Sequence, residues 1–197
     1  MASTKKRRAL DAAIELVGTE GVRALTHRRV DAQAGLPDGS TSNYFRTRSA
    51  LVRGVVEHMV SVELPELTEQ APPRSAQDLA DTMVELFEFF TGPNRVMTSA
   101  RLALIVEATH DEELRTALAR GRVRFETVIR AQFAAIGCAT PDLATQLMAV
   151  CFEGLFLHSV GGHAQIDARE LINTVVRAAM DESGSGSPQP FSAFTAT

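Results

Sequence analysis

Cysteine is scarce: Cys138 and Cys151 are the only two in 197 residues. That excludes a disulfide framework and fits a reducing, cytoplasmic setting. No run of 18 uncharged apolar residues occurs, so no membrane-spanning segment is expected. The basic stretch Lys5-Lys6-Arg7-Arg8 is followed at once by Asp11 and Glu15 instead of an apolar run, so it does not read as a secretory signal. The five histidines (His27, His58, His110, His158 and His163) and the two cysteines form no group with zinc-ligand spacing. His158 and His163, five apart, lie on different faces of a helix. A Ser–His–Asp order, a phosphate-cradling glycine loop and paired carboxylates are all missing. No metal, no cofactor and no enzymatic chemistry are therefore expected. Internal repeats are absent, alternating β-branched runs are few, and the glycines and prolines gather at a few junctions. What remains is helical spacing, with 45% hydrophobic residues to build a core. The fold class that follows is all-α.

Charge is divided unevenly. Residues 1–53 hold ten Lys and Arg against five Asp and Glu, although the whole chain carries a net charge of −4. A basic N-terminal module on an acidic body suggests a polyanion bound at one end, against the plainer reading of solvated charged faces.

Leu10, Ala13, Ile14 and Val17 predict a first helix over residues 4–18, with Gly18 and Gly21 as stop signals and Gly21 as the αL cap. Its basic start opposes the helix dipole, and phosphate is one candidate to compensate it. Thr26 is a good N-cap for a second helix, 27–34. Gly35-Leu36-Pro37 is a tight turn, and a third helix follows over about 37–45. That third segment is polar apart from Leu36, Tyr44 and Phe45, which suits a helix whose outer face meets something beyond the protein. Two helices joined by a tight glycine turn are a helix-turn-helix, whose second helix enters the DNA major groove. The first helix completes the bundle, with Leu10, Ile14, Val17, Leu25, Val30, Leu36 and Phe45 as its core.

Thr47 caps a fourth helix that Pro65 ends, and residues 65–76 read as a linker. A fifth helix from Ser75, a sixth over 93–108, a seventh from Asp111 to Ile136, an eighth over 141–161 and a ninth over 167–181 complete a nine-helix chain. The eighth is apolar nearly all round, so it should be buried on two sides, against the body and against a second subunit. Phe152, Phe156 and Val160, with Ile172 and Val176 of the ninth helix, are the expected homodimer contacts. The domains are then 1–46 (helix-turn-helix), 47–182 (ligand binding and dimerisation) and a flexible Ser/Gly/Pro tail, 183–197, whose Phe191 and Phe194 could dock on the body.

Gly21, Leu25-Thr26, Ala34-Gly35, Gly39-Ser40, Tyr44-Phe45, Arg48 and Leu51, behind a basic first helix, resemble the TetR family of bacterial transcriptional regulators. The motif evidence covers about residues 5–55; the remainder is similar in helix count and in its dimerising last two helices. The resemblance implies that Thr26 and His27 open the second helix near phosphate and that Gly39 and Ser40 come closest to base edges. It further implies that Thr41 and Asn43 are exposed on the reading helix, and that Tyr44 and Arg48 contact the DNA backbone. Two positions depart from the pattern. Asp38 stands where a basic residue is common; it can accept from cytosine N4 but is repelled by phosphate. Ser42 stands where an aromatic is common. Arg28 and Arg46, with Arg48, are phosphate candidates by position, and Asn43 suits adenine by its amide.

Polar residues within apolar stretches are the candidates for an effector pocket: His58, Thr98, Arg101, Glu107, Glu153 and His158, beside Phe87 and Phe125. With Phe90, Met97 and Met148 they suggest a hydrophobic small molecule. Core packing accounts for the same residues without one. The expected function is a homodimeric, ligand-responsive regulator, a repressor released from a palindromic double-stranded DNA operator, in the cytoplasm on the nucleoid. The competing reading, motivated by Asp38 and Ser42, is a small-molecule binding or sequestering protein with a weakened helix-turn-helix.

Overall fold

The computed structural model describes residues 4–68, 71–162 and 166–181. His163 and the 183–197 tail, with Phe191 and Phe194, lie outside them. All regular structure among the described residues is helical: α1 (Thr4–Glu20), a 3-10 turn (Val22–Ala24), α2 (His27–Gln33), α3 (Ser40–Tyr44), α4 (Arg48–Thr68), α5 (Ala76–Thr91), α6 (Arg95–Glu107), α7 (Glu112–Ala135), α8 (Pro141–Gly161) and α9 (Ala168–Asp181).

The helix starts follow side-chain capping. Thr26, Thr47, Ser75 and Asp111 each accept a hydrogen bond from a backbone N–H three residues on, at 3.3, 3.1, 3.1 and 2.9 Å. Each such cap contributes about 1 kcal/mol. α1 stops at Gly21, whose φ of 83° and ψ of 170° form an extended mirror-image conformation open to glycine, not the expected αL cap. Gly18 ends nothing. A Cβ there would fall 2.2 Å from the carbonyl oxygen of Val96, so this glycine lets α1 lie directly on α6. Pro65 does not end α4, which continues to Thr68. The proline falls in the last turn, where one lost backbone bond disturbs the least helix. The linker is accordingly shorter than 65–76.

Two apolar cores hold the molecule. The first contains every residue expected of the three-helix bundle: Leu10, Ile14, Val17, Leu25, Val30, Leu36 and Phe45. It also takes in Leu51, Val55 and Met59 of α4, Ala100 and Leu104 of α6, and Leu114 and Ala117 of α7. α2 and α3, of seven and five residues, are too short to cover α1, so the later helices finish the core. The second core joins α5, the C-terminal half of α7, α8 and α9 through Leu79, Met83, Phe90, Phe133, Met148, Phe156 and Ile172. α8 has a mean hydropathy of 1.4 over its most apolar 18 residues, long and apolar enough by composition to cross a bilayer. Here one side of it packs on α7 and α9, and the other is open.

Candidate nucleic-acid interface and the body behind it

The expected reading helix, α3, has only five residues, fewer than the 37–45 expected, because Gly39 takes the αL conformation (φ 84°, ψ −5°) as its N-cap. A glycine cap has no side chain to satisfy the first N–H groups. Asp31 of α2 supplies what is missing. Its carboxylate is 1% exposed and accepts from the Gly39 N–H (2.8 Å), the Thr41 N–H (2.8 Å) and the Thr41 hydroxyl (2.5 Å). The charge sits at the positive end of α3 and meets three donors. The turn is tied further by the Leu36 N–H to the Asp31 carbonyl (2.9 Å) and by the Ser40 hydroxyl to the Pro37 carbonyl (2.6 Å).

Thr41 is therefore fully buried, not exposed as expected, because its hydroxyl is committed to Asp31. Asp38, Gly39, Ser42, Asn43 and Tyr44 remain at the surface, with Ser40 half-buried. Thr26, Arg28 and Arg46 are exposed around them, and neither arginine has a partner among the described residues.

Other basic groups are used internally. A His27 ring N–H donates to the Phe45 carbonyl at 2.7 Å, joining the start of α2 to the end of α3. Arg48 donates to the Val22 carbonyl (3.0 Å) and lies 3.8 Å from Glu107 at the end of α6. Arg8 donates to the Ala34 carbonyl (2.6 Å), where the α2 dipole is negative, and Arg29 pairs with Glu20 (2.6 Å). Hydrogen bonding to Glu20 raises the Arg29 pKa. Part of the N-terminal basic charge is thus compensated within the fold. Lys6 lies over the Phe45 ring (5.3 Å), which itself packs against Gly54 of α4.

The expected pocket residues do not converge on one cavity. His58 sits 2.6 Å from Asp11 and ties α4 to α1. Glu107 pairs with Arg48, far along α6 from the others. Thr98 is fully buried and donates to the Phe90 carbonyl (2.7 Å), as a satisfied core hydroxyl. Glu153 pairs with Arg122 (2.6 Å) across α7 and α8, and His158 is exposed. Hydrogen bonding to Glu126 is the main cause of a raised Arg122 pKa. Arg101 forms an ion pair with Glu63 of α4 and lies over Phe90 at 5.4 Å. Phe87 and Phe125 do belong together with Phe90, Phe152 and Phe156: neighbouring ring centroids in this cluster are 5.5–6.2 Å apart. Burial raises the Cys151 thiol pKa and so disfavours its thiolate.

The expected dimer residues need correction too. Phe152, Phe156, Ile172 and Val176 are buried in the second core, and Val160 is half-buried, with its carbonyl accepting from Arg95 (3.1 Å). The open face of α8 carries Leu143, Leu147, Val150, Gly154 and Leu157 instead. Leu147 is 43%, Val150 62% and Leu157 60% exposed. They recur at alternating four- and three-residue steps, the seam spacing of a helix that packs on another. Leu171 of α9 is exposed as well. That spacing was present in the sequence, hidden because the opposite face of α8 is equally apolar. Asp31 and Gly18 carried no local signal, since their partners are eight or more residues away.

Among the described residues the class is an all-α one, a helix-turn-helix at one end with a helical body behind it. A family model described as "Tetracyclin repressor-like, C-terminal domain" matches residues 74–182. The chain belongs to the TetR family of transcriptional regulators, which are not enzymes. Among solved structures, a transcriptional regulator from Rhodococcus sp. Rha1 superposes with a TM-score of 0.74 at 17% identity, covering 94% of this chain and 100% of that one. FadR from Bacillus subtilis, in complex with stearoyl-CoA, has a TM-score of 0.66 at 18% identity, covering 88% and 96%. The multidrug binding protein EbrR, complexed with proflavin, has a TM-score of 0.60 at 24% identity, covering 88% and 98%. No curated protein matches.

Proposed function

We propose that the chain is a homodimeric repressor that reads a palindromic operator through α3 and releases it when a hydrophobic small molecule enters the body. The observation that carries this reading is the Asp31 lock. It holds a five-residue helix with Asn43 and Tyr44 at the surface, flanked by Arg28 and Arg46, which have no partner among the described residues. An unused helix-turn-helix would have no need of a buried carboxylate with three donors. Arg28, Arg46, Thr26 and Tyr44 are assigned to phosphate, and Gly39, Ser40 and Asn43 to base edges. Asp38 selects against phosphate on its side and for a cytosine amine. His27 and Arg48 position the head, and Thr41 positions α3.

The exposed α8 seam of Leu143, Leu147, Val150, Gly154 and Leu157, with Leu171, supports a second copy as its occupant. Two copies then place their α3 helices one DNA turn, or a multiple, apart. The effector site is assigned to the neighbourhood of Phe87, Phe90 and Phe125. FadR and EbrR, with bodies of the same fold, are complexed with stearoyl-CoA and proflavin. Action on DNA places the protein in the bacterial cytoplasm.

Footprinting on fragments from upstream of its own gene tests the reading. A protected inverted repeat is expected. Absence of any protected repeat, or a monomer by light scattering at micromolar concentration, overturns it.

A further inference from the structure

Among the described residues the body holds an ionic cluster built on a buried carboxylate. Glu63 of α4 is buried, with its side chain 8% exposed. One carboxylate oxygen accepts from the Asn94 amide at 3.1 Å, and the other meets a guanidinium nitrogen of Arg101. The guanidinium carbon of Arg101 stands 5.4 Å from the centroid of the Phe90 ring. Phe90 in turn neighbours Phe89, Phe125 and Phe156, with centroids 5.5, 6.2 and 5.6 Å away. A carboxylate beside an aromatic face is the arrangement that binds a flat, delocalised cation. In this structure the protein fills it with its own.

We infer that the Glu63–Phe90 cluster is a subsite for a planar organic cation, an aryl amidine or aryl guanidine, which displaces the Arg101 side chain. The inference rests on the reading of the chain as a ligand-responsive regulator and gives its effector a chemical class.

The two partners are not equivalent, and this sets the sign of the ligand. Glu63 is held from behind by Asn94, whereas Arg101 reaches in on a long flexible stem and remains 24% exposed. Arg101 can swing to water and recover its hydration. The incoming cation then neutralises Glu63, so the buried carboxylate exchanges one partner for another and is never left alone. An anion would have to replace Glu63, which is fixed and buried, or sit beside it and be repelled. The aryl part of the ligand follows from the rings around Phe90, which offer apolar edges and faces to a flat group. The exchange also has a mechanical consequence. Glu63–Arg101 and Arg48–Glu107 are ties between α4 and α6 at opposite ends of α4, and α4 leads directly from the reading head. Displacing Arg101 releases one of the two.

The test uses p-aminobenzamidine, whose fluorescence rises in an apolar site, titrated into the full-length protein. Saturable binding is expected, competed by benzamidine but not by neutral benzamide or anionic benzoate. Arg101→Gln empties the site of its resident cation and should tighten binding, by about tenfold. Glu63→Gln should weaken it by at least about tenfold. Circular dichroism checks that both variants fold. The wild-type competition series decides the sign of the ligand even if one of them does not. Competition by benzoate, no saturable binding, or weaker binding by a folded Arg101→Gln each overturns the inference. Operator binding is measured in parallel without the probe. Loss of operator binding with the probe site intact defeats the regulator reading, while operator binding with no probe binding defeats the cation subsite alone.

Discussion

Replacing Asp31 by alanine separates how tightly this protein holds DNA from how well it discriminates. The carboxylate accepts three hydrogen bonds in a position 1% exposed to water. Its removal leaves the Gly39 and Thr41 N–H groups and the Thr41 hydroxyl without an acceptor. A buried donor left unsatisfied costs about 1–3 kcal/mol. The three share one acceptor, and the N-terminal turn of α3 can fray to reach water, so their costs do not add fully. About 3 kcal/mol of folding stability should be lost, read as a shift of the urea midpoint at fixed protein concentration. Arg28 and Arg46, the side chains proposed to meet phosphate, lie outside α3 and keep their places. Non-specific affinity should therefore change little, while the ratio of operator to scrambled-sequence binding falls by tenfold or more, roughly the cost of one mismatched base pair per half-site. Fluorescence anisotropy with both duplexes at several salt concentrations measures the two separately. Thr41→Val removes one donor and should cost about 1 kcal/mol alone. In the Asp31→Ala background it should cost almost nothing, since the hydroxyl then has no partner to lose. A loss below about 1 kcal/mol for Asp31→Ala, or additive losses in the double variant, would refute the lock.

Gly18→Ala should destabilise the fold by about 1–3 kcal/mol in thermal or urea unfolding, because its Cβ would meet the Val96 carbonyl, a backbone atom with little room to move. Leu147→Glu with Leu157→Glu should give a monomer of unchanged helix content by light scattering and circular dichroism, with weakened operator binding; a persisting dimer would place the interface elsewhere. Arg46→Ala should weaken binding to all DNA and lower the salt slope by about 1. Arg48→Ala should instead lower stability and leave the salt slope nearly unchanged, because that guanidinium is held by the Val22 carbonyl.

Much of the fold was legible because it depends on local signals. Thr26, Thr47, Ser75 and Asp111 each sit three residues before the N–H they cap, and the apolar spacing of α1, α5 and α7 identifies one buried face each. Such features act within a turn or two of helix and survive reading one segment at a time. Site residues were legible to a lesser degree. Arg28, Arg46, Asn43 and Tyr44 are at the surface as expected, whereas Thr41 is buried, because a hydroxyl residue can face water or cap a neighbour and only its partner decides. The polar residues proposed for a pocket are instead divided among separate pairings, since any polar side chain in an apolar stretch looks alike until its partner is known. α8 posed the opposite problem: with apolar residues all round, the sequence called for two buried faces but did not distinguish the core face from the open one.

By itself, then, the amino-acid sequence determined the nine helices found among the described residues, a helix-turn-helix behind a basic first helix, and an acidic body with apolar stripes, because hydrophobic period, caps and breakers operate over a few residues. Only the tertiary structure decided that Asp31 holds α3, that Gly18 admits α6, that the exposed Arg48 is tied to the Val22 carbonyl, and that Leu147 and Leu157 rather than Phe152 and Phe156 are at the surface. Each of those depends on groups 8 to 78 residues apart in the chain, and their proximity is a product of packing the helices together.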